Sequence, residues 1–256
     1  MVVPDGLWTD LRVVAETGST NADVAAAARA GAAEGLVVVA ELQTSGRGRL
    51  GRVWQSPPRA GIAVSVLLRP AVPAVRLGWL PLLAGVALTE AVRRVSEVDA
   101  VLKWPNDLLV RHNGAERKCA GILVESLAEG GVVLGIGLNT TLREHELPHP
   151  DATSLALAGA ACVDRDPLLR AILRSVEQWY DRWRRHAGDP DASGLRAAYA
   201  FHCGTLGRQV EVRLPGDRLL RGRAEEIDTE GRLVVDAEPG GTGRVAVAAG
   251  DVVHLR

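Results

Sequence analysis

Between Thr17 and Asn139 short β-branched apolar runs alternate with stretches of helical spacing. That rhythm restricts the segment to a layered α/β architecture, because strands of this kind must bury their faces against helices. The runs at 36–41 (LVVVAE) and 62–68 (IAVSVLL) are apolar at nearly every position and bounded by glycine or proline, which predicts buried strands. Thr20 and Asp23 fit an S/T-x-x-D/E capping pattern, so a short helix is expected to start there and run through the alanine-rich stretch to Gly31. The stretch 76–95 has helical spacing through Trp79, Leu83, Val86 and Val95, with Pro81 either beginning or kinking the helix. Strands are predicted at 100–104, 108–111, 119–126 and 131–139, and Asn113-Gly114 is a strong two-residue turn signal. A hairpin-rich sheet should therefore follow the second helix.

The character changes after Pro150. Asp166 and Pro167 resemble an N-cap and N1 pair, an apolar stripe runs through Leu169, Ile172, Val176, Trp179 and Trp183, and Arg184, Arg185 and His186 precede Gly188. This predicts a long amphipathic helix with its dipole complemented at the carboxyl end. From Arg208 onward five short alternating runs are separated by turn residues at 215–217, 229–231 and 240–243, the pattern of a small β-barrel. We expect a division into 1–204 and 205–256. Eight arginines face nine acidic residues in the second part, which suits a docking or packing module better than a nucleic-acid clamp.

Bulk composition sets the limits. With 256 residues, 47% hydrophobic and 24% charged, the chain is long enough for one sizeable domain and a smaller one, and disorder is excluded. A net charge of -1 argues against a dedicated nucleic-acid binder. Cys119, Cys162 and Cys203 are odd in number and widely spaced, so neither a disulfide framework nor a zinc site is indicated. The start MVVPDGLWTD lacks the features of a signal peptide, and the apolar run at 77–88 is short of the roughly 20 residues that cross a bilayer. These features predict a cytoplasmic protein with no membrane partner. Among 30 basic residues only Lys103 and Lys118 are lysine; coding bias towards arginine accounts for the depletion but not for where the two survivors sit.

Both lie in segments suited to chemistry. The densest segment is GRGRLGRVW at 46–54, with Arg47, Arg49 and Arg52 among three glycines directly after a strand. Glycines let backbone N–H groups approach an anion, and guanidinium groups grip carboxylate or phosphate in pairs of charge-assisted bonds; the alternative is a solvated surface loop. Gly46, Gly48 and Gly51 match a dinucleotide fingerprint formally, but Pro57 and Pro58 follow where that motif must open a helix. A P-loop is excluded, because Leu102 and Arg117 precede the lysines where the motif requires glycine, and no kinase HRD or DFG string occurs. KWPND at 103–107 sets an amide and a carboxylate beside an ammonium, as either a turn or a site. Lys118 enters an apolar strand, either as a snorkelling edge residue or as a desolvated anion partner. Gly135 and Gly137 lie two apart and bare one strand face, for a ligand or for tight packing.

Taken in order and at roughly this spacing, STN (19–21), Q-x-x-GRGRLGR-x-W (43–54), KWPND, K-x-x-GILVE (118–125) and GIGLN (135–139) resemble the biotin protein ligase family, also called biotin-[acetyl-CoA-carboxylase] ligases. Lipoate ligases share that fold without the GRGRxGR and KWPND pair in this form. The resemblance implies an α/β (α+β) fold with a mixed central sheet flanked by helices, like class II aminoacyl-tRNA synthetase catalytic domains. It also implies a small carboxyl-terminal Src-homology-3-like β-barrel.

It further implies ATP-dependent activation of biotin to biotinoyl-AMP, then transfer to one lysine of the biotin carboxyl carrier domain of an acyl-CoA carboxylase. ATP and Mg2+ would be co-substrate and ion. Carried over by position, Ser19, Thr20, Asn21 and Gln43 would hold the ureido ring, Gly135 and Gly137 would floor the valeryl chain, and Gly121 would also bind biotin. Arg47, Gly48 and Arg49 would close over the intermediate, with Arg49 and Lys118 stabilising charge as the carboxylate attacks the α-phosphate. Arg52, Trp54, Lys103, Asn106 and Asn139 would take nucleotide and pyrophosphate. Asp107 would orient or deprotonate the acceptor lysine, or help hold magnesium through water. Bifunctional members carry a DNA-binding winged helix, whereas 18 residues precede Ser19 against about 50 for a minimal domain, so no DNA binding is expected. Cys119 is expected to pack rather than react. A monomer or weak homodimer is expected. Lipoate or octanoate transfer within the same superfamily, and a non-catalytic biotin or nucleotide sensor, are the competing readings.

Overall fold

In the computed structural model residues 6–214, 218–237 and 243–255 are described. Two sheets organise them. The larger has seven strands: β1 (Asp10–Val14), β2 (Leu36–Ala40), β3 (Gly61–Leu68), β4 (Ala100–Lys103), β5 (Asp107–His112), β6 (Ala115–Ser126) and β7 (Val132–Asn139). They lie in the order β1-β2-β3-β7-β6-β5-β4, with β1 parallel to β2 and every other pair antiparallel. The sheet is therefore mixed, as expected.

Helix α1 (Thr20–Arg29) covers one face, and α2 (Leu80–Ser96) with α3 (Arg165–Arg185) covers the other. Alternation along β2 supplies both sides: Val37 and Val39 enter the large core with α2 and α3, while Leu36 and Val38 join Val24 and Ala28 of α1. All five β2 positions are buried for this reason. Asn113 and Gly114 turn β5 into β6 with φ of 50° and 76°, the paired positive values that a tight hairpin of this hand requires.

Several boundaries depart from expectation. The N-cap of α1 is Ser19, Thr20 is already helical, and no side chain caps the helix, because the hydroxyl of Thr20 is drawn towards Gln43 and Ser65. At α3 the cap is Asp164, which accepts from the Asp166 N–H, while Asp166 turns to Arg170 at 2.8 Å. Pro81 begins its helix rather than kinking it, since a 3-10 turn at Ala74–Trp79 leads into α2. The whole stretch Ala74–Ser96 is long and apolar enough to cross a membrane by length and composition, but it is packed as the core helix between sheet and α3. Sequence patterning missed β1 and α4 (Leu195–His202).

The second sheet is antiparallel and contains the five expected strands: β8 (Gln209–Leu214), β9 (Arg218–Ile227), β10 (Leu233–Ala237), β11 (Arg244–Val247) and β12 (Asp251–His254), in the order β11-β10-β9-β8-β12. The turn expected at 215–217 and most of the loop expected at 240–243 lie outside the described residues. Two fully buried tryptophans tie this sheet down. Trp79 Nε1 donates to Thr229 O at 2.9 Å and Trp104 Nε1 to Gly231 O at 3.1 Å. Each indole contributes about 2–3 kcal/mol by burial.

Remote from the sheets' shared cavity, Glu90 of α2 accepts from Trp179 Nε1 (2.9 Å) and Ser175 Oγ (3.2 Å) of α3 and faces His202 Nε2 of α4 at 3.9 Å. Burial opposes its charge, but the facing His202 ring and the bonds from Trp179 and Ser175 prevail and hold the carboxyl below its usual value of 4.5. A depressed carboxylate stabilises the fold above the unfolded value and loses that contribution as pH falls through the folded one. Glu90→Gln should therefore reduce stability at pH 7 and shrink the difference from the parent below about pH 4.5, read from urea midpoints across pH. Parallel pH profiles for the two proteins would refute this role.

Candidate active site

The site is built on two rows of the large sheet. Strand register aligns Ala63, Gly137, Gly121, Asp107 and Lys103 across β3, β7, β6, β5 and β4, and aligns Ser65, Gly135 and Leu123 one step further along. Residues two apart share a face, so the glycines form a low floor that ends in the KWPND charges. A Cβ on Gly135 would stand 2.1 Å from Asn21 Oδ1, and one on Gly137 would stand 2.4 Å from Trp54 Cε2. The bare face thus admits the amide of α1 and the indole that closes the glycine–arginine loop.

Lys118 reaches this face through a β-bulge. The pairing of β5 with β6 jumps so that Leu108 meets Ala120 while Leu109 meets Lys118, leaving Cys119 as the extra residue. One inserted residue puts Lys118 on the same side as Gly121, although three positions separate them, and turns Cys119 into the core. Lys118 Nζ lies 2.6 Å from Asp107 Oδ1. β6 is interior to the sheet, so Lys118 is not an edge residue. Cys119 is fully buried, which pushes its thiol well above the usual value, and its Sγ donates to Asn139 O at 3.3 Å.

At the other end stands a neutral polar wall. The Thr20 N–H donates to Gln43 Oε1 at 2.8 Å, Thr20 Oγ1 meets Ser65 Oγ at 2.7 Å, and Ser65 Oγ donates to Asn21 Oδ1 at 2.6 Å. Ser19, Thr20, Asn21 and Ser65 are buried, and the hydroxyls of Thr20 and Ser65 and the amide oxygen of Asn21 pair with one another in place of water.

The loop spans the site with each arginine tied to a different element. Arg47 Nη1 is 3.5 Å from Glu125 of β6, Arg49 Nη1 donates to Asn106 Oδ1 at 3.1 Å, and Arg52 pairs with Asp251 of β12. The backbone of Gly48 and Trp54 donates to Arg52 O and Gly46 O, closing the loop on itself, with Leu50 and Gly51 at φ of 56° and 73° at its tip. Asn106 is fixed in turn by Ile122, donating to its carbonyl at 2.7 Å. Trp104 and Pro105 are joined by a cis peptide bond.

Charge accumulates where these parts meet. Burial lowers the Arg49 guanidinium, with Asp251 and Asp107 opposing, and burial lowers Lys103, with Asp107 opposing and Lys118 assisting. His254 of β12 is depressed to about 4 by burial and by the neighbouring Arg208 and Lys103. It is therefore neutral at pH 7, with Nε2 near Thr205 Oγ1 (3.0 Å) and Nδ1 near Arg208 (3.2 Å). Asn139, 2% exposed, donates to Thr153 O at 2.9 Å, while its Oδ1 has no hydrogen-bond partner among the described residues. Such an atom is costly unless a ligand or water serves it.

All the nominated residues line one cavity of about 1210 Å³: Ser19, Thr20, Asn21, Gln43, Arg47, Gly48, Arg49, Arg52, Trp54, Lys103, Asn106, Asp107, Lys118, Gly121, Gly135, Gly137 and Asn139. Sequence reading missed several contributors. Ser65 was legible as the lone polar residue in a buried strand, and Glu125, which lines the neighbouring hollow beside the glycine–arginine loop, lay inside a quoted motif without a role. Asp251 and His254 of the second sheet, with Arg208 and Arg213, carried no local signal. Among the described residues no three acidic, histidine or cysteine side chains gather into a metal cage.

Comparisons with known proteins place the chain in a family. The biotin/lipoate A/B protein ligase family profile matches residues 17–139, and that of the biotin protein ligase C terminal domain matches 205–255. A biotin–[acetyl-CoA-carboxylase] ligase of Mycobacterium tuberculosis is 45% identical over 97% of this chain and 90% of its own length. The biotin protein ligase from Aquifex aeolicus in complex with biotin and ATP superposes with a TM-score of 0.76 at 25% identity, covering 97% of this chain and 100% of that one. The biotin protein ligase from Leishmania major in complex with biotinyl-5-AMP gives 0.63 at 26%, covering 93% and 98%. With both profiles matched and a relative this similar along nearly its full length, the chain belongs to the biotin protein ligase family.

Proposed function

We propose that the chain joins biotin to ATP as biotinoyl-AMP and then transfers the biotinyl group to a lysine of a biotin carboxyl carrier domain. The observation that carries this reading is the polarity of a single cavity: uncharged hydrogen-bonding groups at one end, with Arg47 held over them by Glu125, and Arg49, Lys103 and Lys118 at the other. A molecule with a neutral polar head and an anionic tail fits that gradient, and a triphosphate fits beyond the tail.

In the first step a biotin carboxylate oxygen attacks the α-phosphorus, the bond to the β-phosphate oxygen breaks, and pyrophosphate leaves. Two anions must be brought together, so the work is positioning and charge stabilisation. Ser19, Thr20, Asn21 and Gln43 hold the ring; Gly135 and Gly137 keep the floor low for the chain, with Gly121 also against biotin. Arg47, Gly48 and Arg49 lie over the acyl phosphate, Lys118 faces its developing charge, and Arg52, Trp54, Lys103, Asn106 and Asn139 take the nucleotide. Magnesium would enter with ATP as part of the substrate, and Asp107 would help hold it through water. In the second step the acceptor amine attacks the acyl carbon and AMP leaves; Asp107, already holding one ammonium at 2.6 Å, is placed to receive another.

The boundary at 204/205 separates the part that carries the chemistry from a sheet that lends Arg208, Asp251 and His254 to the same cavity. We place the protein in the cytoplasm as a monomer or weak homodimer, apart from DNA and membranes. The test is to incubate it with MgATP, biotin and a carrier domain. A gain of one biotinyl mass on one carrier lysine is expected; a gain with lipoate or octanoate only selects the sister activity, and binding without any gain selects a sensor.

A further inference from the structure

The polar wall ends on a carboxylate that the reaction above does not use. Glu125 projects from β6 on the same face as Gly121 and Leu123, with Oε2 2.6 Å from Asn21 Nδ2 and Oε1 3.5 Å from Arg47 Nη1. We propose that Glu125 is a positioning residue that sets the donor and acceptor direction of Asn21 and Ser65, which with Gln43, oriented by the Thr20 backbone N–H, makes the wall select a ligand carbonyl. The proposal rests on the biotin reading above and assigns to that site the group that chooses its ligand.

The direction follows from hydrogen-bond inventory. A carboxylate only accepts, so the group facing it at 2.6 Å must be the Asn21 amide nitrogen. The amide oxygen then faces Ser65 Oγ at 2.6 Å and can only accept, which commits the single hydroxyl proton of Ser65 to it. Ser65 Oγ can therefore only accept from Thr20 Oγ1, 2.7 Å away, and the single hydroxyl proton of Thr20 is shared between Ser65 Oγ and Gln43 Oε1, 3.0 Å away. Gln43 Oε1 is engaged by the Thr20 N–H at 2.8 Å, which leaves the Gln43 amide nitrogen free to donate. The second N–H of Asn21 and both of Gln43 make no hydrogen bond to another described residue, and both side chains line the cavity. The wall thus offers donors. Their natural complement is an acceptor such as the oxygen of a cyclic urea; a dithiolane or an alkyl chain has no such atom, and an amidine presents donors instead.

Fixing that direction takes an acceptor-only group at the end of the chain. A glutamine at the same place can present either amide atom to Asn21, and the relay can then run either way. The same carboxylate ties Arg47, so the loop lies over a wall whose polarity is already set.

The test compares biotin with 2-iminobiotin, whose ureido oxygen is replaced by a nitrogen-bearing donor, using the full chain. Dissociation constants come from calorimetry, and KM and kcat from pyrophosphate release with MgATP. The parent should prefer biotin, and Glu125→Gln should weaken biotin about tenfold or more, raising its KM more than it lowers kcat and narrowing the biotin/iminobiotin ratio. Ser65→Ala cuts the relay in its middle and should narrow the same ratio, which covers the case in which Glu125→Gln does not fold. A role limited to holding the fold would weaken both ligands alike, so an unchanged ratio in the folded variants overturns the proposal. A parent that binds biotin with the stated preference but releases no pyrophosphate overturns the proposed activity and leaves the relay standing.

Discussion

Lys118→Met should slow biotin-dependent pyrophosphate release by about 10²–10³-fold, the usual cost of deleting one preorganised group aimed at developing charge. Methionine keeps the stem and volume while removing the ammonium. The loss should fall on kcat, because a charge that grows in the transition state is served only there. The fold should survive: the Lys118–Asp107 pair is partly exposed, with side-chain exposures of 34% and 19%. A destabilisation of about 1 kcal/mol corresponds to only about 2–4 °C in the melting midpoint for a chain of this size. Transfer from chemically supplied biotinoyl-AMP should be less affected than its formation. An adenylation rate equal to the parent's would remove Lys118 from the site.

Gly137→Ala should lower kcat/KM for biotin about 10–100-fold. The added Cβ would lie 2.4, 2.6 and 2.8 Å from the Trp54 atoms Cε2, Nε1 and Cζ2, and a planar indole wedged against Gly121 cannot yield by rotating its tip. Either the strand shifts or Trp54 leaves, at about 1–3 kcal/mol for overpacking of this kind. A smaller partner should relieve the clash, so Gly137→Ala combined with Trp54→Leu should recover part of what Gly137→Ala loses, and the double-mutant cycle measures the coupling. A neutral Gly137→Ala, or a double variant that is only the sum of the two singles, would place Trp54 outside the closed site.

These two substitutions also mark where reading the residues succeeded. Lys118 stood out because arginine fills nearly every other basic position, and the Gly135/Gly137 pair stood out by its spacing within a strand. Strand and helix periodicity was strong enough to locate six of the seven strands of the large sheet. It missed β1, whose DLRVV mixes charge into an edge strand that needs only one buried face, and α4, which is eight residues long and lacks a polar cap. The two cap assignments failed for different reasons: the Thr20 hydroxyl is claimed by Gln43 and Ser65 from distant parts of the chain, whereas at α3 the nearby Asp164 takes the cap and Asp166, already inside the helix, pairs with Arg170 one turn on.

What the residues determined by themselves was the inventory: an α/β layer with a smaller all-β part after it, a loop of arginines and glycines, two lysines and a glycine floor, in an order that resembles the biotin protein ligases. Backbone propensities and the chemistry of anion recognition are local, so a sequence displays them directly. Convergence was decided in three dimensions. Register places Gly137, Gly121, Asp107 and Lys103 in one row, and the bulge at Cys119 turns Lys118 onto that row's face. The second sheet brings Asp251 to Arg52 across 199 residues. The direction of the polar wall, set from Glu125 to an asparagine 104 residues away, likewise depends on which donor meets which acceptor. Hydrogen bonds act over about 3 Å in space and are blind to separation along the chain, so only the folded arrangement fixes them.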